Sequence, residues 1–256
     1  MNHPLVLIEK EGPAITVLTL QRPDRRNALT IGLMEELCAA VQAAARDSTQ
    51  RVLILKGAGT AFCAGLDLNE AAEPSKAHSS AEMVAQTLLT LSQTPLMTIA
   101  AVHGAAVAGG AGLMSTCDFV IAAHGTKIGY PEVRRGLVAG LVMTFLRRQL
   151  KERDIRELLL MGDLITAEHA LQIGLVNRVV AEKEILKEAY QMAEVILQGA
   201  PGAQANTKKL LGQLWASAVE EDLKQALDFH MQARNSDEAK EGIAAFLEKR
   251  PPRWAV

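Results

Sequence analysis

Between residues 97 and 118 the chain reads M-T-I-A-A-V-H-G-A-A-V-A-G-G-A-G-L-M-S-T-C-D, and this stretch limits the possible architectures more than any other. Thr98, Ile99 and Val102 make an apolar, β-branched opening. Ala108, Gly109, Gly110, Ala111 and Gly112 then put five small residues in a row, and Leu113, Met114 and Cys117 follow at helical spacing. The order is a buried strand, a tight turn and a short helix. Glycines in such a turn admit a ligand to van der Waals distance of the backbone, and the first turn of a helix presents N–H groups with no intrahelical acceptor. An N–H aimed this way holds a carbonyl oxygen that gains negative charge during a reaction. The same small residues also let a helix pack closely on a sheet, and one such run does not separate the two readings.

A second segment of the same design shifts the balance. V-L-I-L-K at 52–56 leads into T-A-F-C-A-G-L-D-L at 60–68, where Ala64 and Gly65 make another small-residue turn. Asp67 stands where an acidic side chain favours a helix N-terminus. Two turns of this kind can bring two backbone N–H donors to one point, which suits an enolate or a tetrahedral oxyanion.

At 256 residues the chain can bury the core of an α/β domain. Its net charge of −2 offers no electrostatic footprint for nucleic acid or an anionic membrane surface. No apolar run reaches the roughly 18 uncharged residues of a membrane span, and the apolar start of the chain meets Glu9 too early for an export signal. Cys38, Cys63 and Cys117 are isolated in apolar contexts. That is the pattern of reduced core residues in a cytoplasmic protein, not of a disulfide or zinc framework.

Along the chain, L-V-L-I at 5–8 and I-T-V-L-T-L at 15–20 predict a hairpin. Arg22, Arg25 and Arg26 then gather in one loop, a pattern shared by anion sites and ordinary solvated turns. Thr30 as N-cap, with Leu33, Met34, Leu37 and Val41 as the buried stripe, predicts a helix over 30–46. Residues 70–80 read as a loop around Pro74, and Ser79 with Glu82 as a capping box for a helix to about 92. Residues 119–123 make another buried strand. Pro131 imposes extended backbone on Tyr130 and leaves Glu132 in a constrained turn ahead of an apolar helix over 137–150. Helices follow over 152–161 and 166–173, then a strand over 175–180. From 182 to 249 the pattern is helical and amphipathic, broken at 199–202 and near 235–237. The organisation is an α/β part over residues 1–195 and a helical region over 196–256, whose amphipathic helices suit packing on partner subunits.

Other chemistries find no support. Gly57 and Gly59 follow a strand, but Phe62 breaks the dinucleotide fingerprint, and neither a phosphate loop, a nucleophile elbow nor a zinc-protease pattern is present. The six histidines lack metal-ligand spacing, and His103 beside the glycine turn reads as structural.

Taken together, A-F-C-A-G-L-D-L (61–68), A-V-H-G-A-A-V-A-G-G-A-G-L (101–113), I-G-Y-P-E-V-R-R-G-L (128–137) and G-D-L-I-T-A-E-H-A-L-Q-I-G-L-V-N-R-V-V (162–180) resemble the enoyl-CoA hydratase/isomerase, or crotonase, superfamily. R-P-D-R-R-N-A-L (22–29) and F-L-E-K-R-P-P (246–252) are similar too. The resemblance implies a spiral of ββα units with a helical C-terminal trimerisation region, assembled as a trimer or a dimer of trimers. It implies an acyl-CoA thioester substrate, with coenzyme A carried as part of that substrate and no separate cofactor. The thioester oxygen would be held by the backbone N–H groups of Leu66 and Gly109. The nucleotide would lie against Ala28, Ala64 and Leu66, with Arg22 or Arg26 near the phosphates and Phe246 and Lys249 closing the pocket.

One departure from the family pattern bears on the reaction. Hydratases of this family carry a glutamate in the glycine helix and a second after the later proline. Glu132 fills the second position, but Gly112 stands at the first. Hydration activates a water and delivers a proton at adjacent carbons, work that two carboxylates share. Moving a double bond from C3 to C2 needs one group to carry a proton across one face of an enolate. The pattern therefore favours isomerisation with Glu132 as sole proton shuttle. A single-glutamate hydratase or lyase, and a non-catalytic acyl-CoA-binding protein, are the alternatives.

Overall fold

The computed structural model describes residues 3–71, 73, 75–214 and 218–254. Its strands are β1 (Val6–Glu11), β2 (Ile15–Leu20), β3 (Val52–Gly57), β4 (Met97–Val102), β5 (Ala105–Val107), β6 (Phe119–Ala123), β7 (Lys127–Gly129), β8 (Leu164–Thr166) and β9 (Arg178–Val180). Six of them form one sheet in the order β1-β2-β3-β4-β6-β9, and the other three form a second sheet in the order β5-β7-β8. The β1–β2 hairpin is antiparallel, and from β2 onward the large sheet is parallel.

The helices are α1 (Ile31–Arg46), α2 (Leu68–Ala71), α3 (Ala77–Gln93), α4 (Gly109–Thr116), α5 (Gly140–Leu146), α6 (Glu152–Arg156), α7 (Ala167–Gln172), α8 (Ile185–Leu197), α9 (Pro201–Gln213), α10 (Val219–Arg234) and α11 (Asp237–Leu247). Among the described residues no helix is long and apolar enough to cross a membrane.

Alternation along the strands decides the layering, because successive strand residues point to opposite faces. Leu53, Leu55, Ala100 and Val102 face one side, where Leu33, Leu37 and Val41 of α1 and Leu88 and Leu91 of α3 cover them. Val52, Ile54, Ile99 and Ala101 face the other, where Ala189, Met192 and Ile196 of α8 pack. Both faces are apolar, as a mostly parallel sheet between helix layers requires. Truncating a residue such as Leu37, which is fully enclosed, would cost about 2–5 kcal/mol.

Several boundaries follow their caps. Thr30 Oγ1 accepts the Leu33 N–H at 3.3 Å, and Thr166 Oγ1 accepts the His169 N–H at the same distance. Other boundaries differ from expectation. The Ser79–Glu82 capping box does not form: α3 already begins at Ala77, Ser79 Oγ donates back to Lys76 O, and Glu82 pairs with His78. Pro74, the centre of the expected loop, lies outside the described residues. The apolar helix expected over 137–150 contracts to α5, and the helix over 152–161 is α6 followed by a wider π turn over Glu157–Met161. The last strand holds only Arg178–Val180.

The C-terminal helices lie on the same body as the sheet. The division after residue 195 falls in the last turn of α8, itself a layer of the core. Lys208 of α9 pairs with Asp118 at 2.7 Å and donates to the Leu96 carbonyl. Arg148 and Asp222 form a largely buried pair at 2.6 Å where α10 packs on α5. Packing α10 on α3 and α5, and α11 on the turn over Pro131–Arg135, completes the wall of a cleft.

Candidate active site

Two turns far apart in sequence are clamped together by short pieces of β-pairing. The Cys63 N–H donates to Ala105 O at 3.1 Å, and the Val107 N–H donates to Cys63 O at 3.0 Å. A second bridge pairs Leu29 with Leu66: the Leu29 N–H donates to Gly65 O and the Asp67 N–H to Leu29 O, each at 2.8 Å. In a parallel bridge those partners use Gly65 and Asp67, so the N–H of Leu66 between them points the opposite way. It lies beside the start of α4: the Leu66 nitrogen is 3.9 Å from where a Cβ on Gly109 would stand.

Gly109 opens α4, so its N–H has no intrahelical acceptor. Its direction is set by Ala108, which adopts φ 50° and ψ −123° and donates its own N–H to Gly129 O at 2.8 Å. A non-glycine residue in that region costs on the order of 1–3 kcal/mol and persists only where its surroundings hold it. Gly65, at φ +90°, lies against this turn: a Cβ there would stand 2.7 Å from Val107 O and 3.4 Å from Gly109 N. Strain and close approach coincide where the two turns meet.

Glu132 comes from the turn over Pro131–Arg135. Tyr130, fully buried, hydrogen-bonds Ser115 of α4 at 2.7 Å, and Ser115 Oγ donates to Ala111 O. Since Ser115 spends its proton on Ala111, the Tyr130 hydroxyl is the donor to Ser115. The pair ties the glutamate's turn to the helix that carries Gly109. Glu132 is 9% exposed, and its Oε2 has no hydrogen-bond partner among the described residues. Burial pushes its carboxyl up to about 7, against the pull of the Arg135 charge. A carboxyl group poised near neutrality can both take and return a proton.

These groups share one cleft of about 250 Å³, lined by Ala28, Ala64, Leu66, Gly109, Glu132 and Phe246 among others. Arg26 lines it with Arg25, so the arginine loop contributes two cations to the wall. Two expected residues stand elsewhere. Arg22 braces the loop from behind, pairing with Asp67 at 3.0 Å and donating to the Ala28 carbonyl, and it does not line the cleft. Lys249 follows the end of α11 with φ 55° and also lies off the cleft wall. Arg135 takes its place beside Phe246, with its guanidinium 4.4 Å from the ring centroid.

Sequence reasoning missed other contributors. Asn27 is fully buried, and its Nδ2 donates to the carbonyls of Ala58 and Ala61, each at 2.8 Å, which holds the arginine loop against the first turn. The two consecutive positive φ angles at Arg26 and Asn27 are the backbone price of that docking. His230 and Arg234 of α10 line the cleft as well. His103, as expected, is structural: its Nε2 meets Gly59 O at 2.9 Å. Among the described residues no cluster of His, Cys, Asp or Glu is arranged to hold a metal ion.

A protein-family model described as Enoyl-CoA hydratase/isomerase matches residues 10–256. The chain belongs to this family. Across 255 residues, 97% of the chain and all of the relative, it is 37% identical to a Thermus thermophilus protein named an enoyl-CoA hydratase. It is 34% identical to the 2,3-dehydroadipyl-CoA hydratase of Escherichia coli, over 96% of the chain and 97% of that protein. The crystal structure of carnitinyl-CoA hydratase from Mycobacterium avium superposes with a TM-score of 0.84 at 30% identity, covering 99% of each chain. As an enzyme of the enoyl-CoA hydratase/isomerase family, the protein has the crotonase fold, and the reading of a non-catalytic binder gives way.

Gly112, where hydratases of the family were expected to differ, faces apolar side chains. A Cβ there would stand 2.6 Å from Val142 Cγ1 and 3.5 Å from Leu88 Cδ2. A side chain at this position would meet Val142 of α5 and Leu88 of α3 from its first carbon.

Proposed function

We propose that this family member isomerises 3-enoyl-CoA to 2-enoyl-CoA, with Glu132 as the sole proton carrier. The N–H groups of Leu66 and Gly109 hold the thioester oxygen. Glu132 as carboxylate takes a proton from C2; the C–H electron pair enters an enolate conjugated with the C3–C4 double bond. The glutamic acid then returns the proton to C4 and the double bond settles between C2 and C3. No water is consumed and no redox partner is needed.

Two observations carry this reading together: a buried Glu132 whose Oε2 has no partner among the described residues, and the Val142 and Leu88 side chains beside Gly112. An activated water needs two or more polar partners, and that side of the cleft presents methyl groups. A second reading, hydration by a single glutamate, is supported by the names of the relatives. Incubation with 3-enoyl-CoA and with trans-2-enoyl-CoA separates the two, following 2-enoyl absorbance and 3-hydroxyacyl product by mass. Interconversion without hydroxyacyl product supports isomerisation; hydration outpacing interconversion overturns it.

Coenzyme A enters as part of the substrate, a reading supported by the two cations, Arg25 and Arg26, that line the cleft and suit its phosphates. The protein works in the cytoplasm, consistent with three buried free thiols. It assembles as a trimer or a dimer of trimers through its C-terminal helices, where Leu210, Leu211 and Leu214 of α9 and its C-cap are 52%, 62% and 75% exposed.

A further inference from the structure

We propose that Arg234 makes the α10 wall of the acyl cleft a receptor for a carboxylate, so that the preferred substrate is an acyl-CoA whose chain ends in a second carboxyl group. The inference rests on the acyl-CoA reading of the cleft. Arg234 and His230 are one helical turn apart on α10, 7% and 9% exposed, and both line the cleft. Arg234 Nη2 donates to the Ala71 carbonyl at the end of α2, while its Nη1 is buried with no partner among the described residues.

Among the described residues Arg234 forms no ion pair, and burial lowers its pKa with no carboxylate opposing the shift. The cleft's own acids are committed: Asp67 to Arg22, and Glu132 to the proton transfer beside Arg135. On α2, Glu70 accepts the Ile31 N–H; on α3, Glu82 pairs with His78 at the surface. On α10, Asp222 pairs with Arg148; on α11, Asp237 pairs with Lys240 and Glu241 with Arg250. His230 Nδ1 faces the Val138 carbonyl at 3.2 Å, and burial together with the Arg234 charge lowers its pKa. The cleft lining thus includes a buried cation with an unused Nη1 donor, together with the apolar residues Ala81, Val84 and Val138. A guanidinium left in that state is costly, and a carboxylate at the end of an acyl chain matches its planar fork. A chain ending in a methyl group would leave Nη1 unpaired.

The test compares binding of matched saturated esters by calorimetry: butyryl- with succinyl-CoA, hexanoyl- with adipyl-CoA, and octanoyl- with suberyl-CoA. At the length that reaches Arg234 the carboxylated ester should bind about ten- to a hundredfold more tightly, the range of one charge-assisted hydrogen bond. The ratio should collapse toward one in Arg234→Met and be partly kept in Arg234→Lys. Equal or weaker binding of the carboxylated ester at every length overturns the proposal, as does a preference that survives in Arg234→Met. The wild-type comparison decides alone if the variants fail to fold. Turnover of methyl-ended enoyl-CoA with no carboxylate preference sinks this inference and leaves the reaction standing. Carboxylate-selective binding with no turnover leaves this inference standing and sinks the reaction.

Discussion

Val142 occupies the space beside Gly112, its Cγ1 only 2.6 Å from where a Cβ on that glycine would stand. Gly112→Glu should therefore overpack the α4–α5 contact and bury a carboxylate, lowering stability by about 2–4 kcal/mol. Combining it with Val142→Ala should recover part of that loss and open hydration of 2-enoyl-CoA. Thermal melts and a hydratase assay on the single and double variants check both halves. A single variant that melts like wild type would show that the site is less filled than the geometry indicates.

Glu132→Gln should abolish turnover while acyl-CoA binding stays nearly intact, since the amide keeps the shape and loses the carboxylate that takes up the proton. The wild-type pH profile carries a second signature. Folding raises this carboxyl from 4.5 to about 7, so between those values the folded state binds more protons than the unfolded one. Stability should then fall as pH rises through that window, by about 3 kcal/mol in all, and level off above it. The kcat/KM for isomerisation should rise across pH 7 as the base ionises. Denaturant melts from pH 4.5 to 8 should show the Glu132 contribution in wild type and not in Glu132→Gln.

Gly65→Ala should disable the enzyme through its backbone. The added Cβ would meet Val107 O at 2.7 Å in a residue already at φ +90°, pushing apart the turns that carry Leu66 and Gly109. Loss of one oxyanion donor typically costs about 2.7–4 kcal/mol of transition-state stabilisation. We expect kcat to drop about a hundred- to a thousandfold, with a smaller change in KM. An unchanged kcat would remove Leu66 and Gly109 from the mechanism.

Leu211→Glu should reduce the native mass measured by light scattering, because Leu210, Leu211 and Leu214 expose a contiguous apolar edge on α9. A wild-type protein that elutes as a monomer would contradict the assembly outright.

Much of the fold was legible because its signals are local. Thr30 and Thr166 cap helices where the sequence places them, and the apolar runs at 52–57 and 97–102 are strands. The Ser79–Glu82 pattern misled because α3 starts a turn earlier without a side-chain cap, a choice made by packing on α1 and not by its first residues. The two glycine turns were recognisable, and so was Glu132 behind Pro131. Their proximity was not, since it depends on bridges from Cys63 to Ala106 and from Leu29 to Leu66. Arg22 and Arg26 look alike in sequence; only the fold shows that one braces Asp67 and the other lines the cleft. Arg234 escaped notice because an amphipathic helix does not reveal which of its faces meets the site.

The bridge between Cys63 and Ala106 joins the loop leaving the large sheet to a strand of the small one. The Leu66 and Gly109 turns on either side of it therefore come together only when both sheets have closed on each other, and no fragment holding one turn can assemble the proposed site. Catalytic competence should appear as the last event of refolding and vanish with the first cooperative loss of structure, so activity in this chain doubles as a sensor of complete native topology.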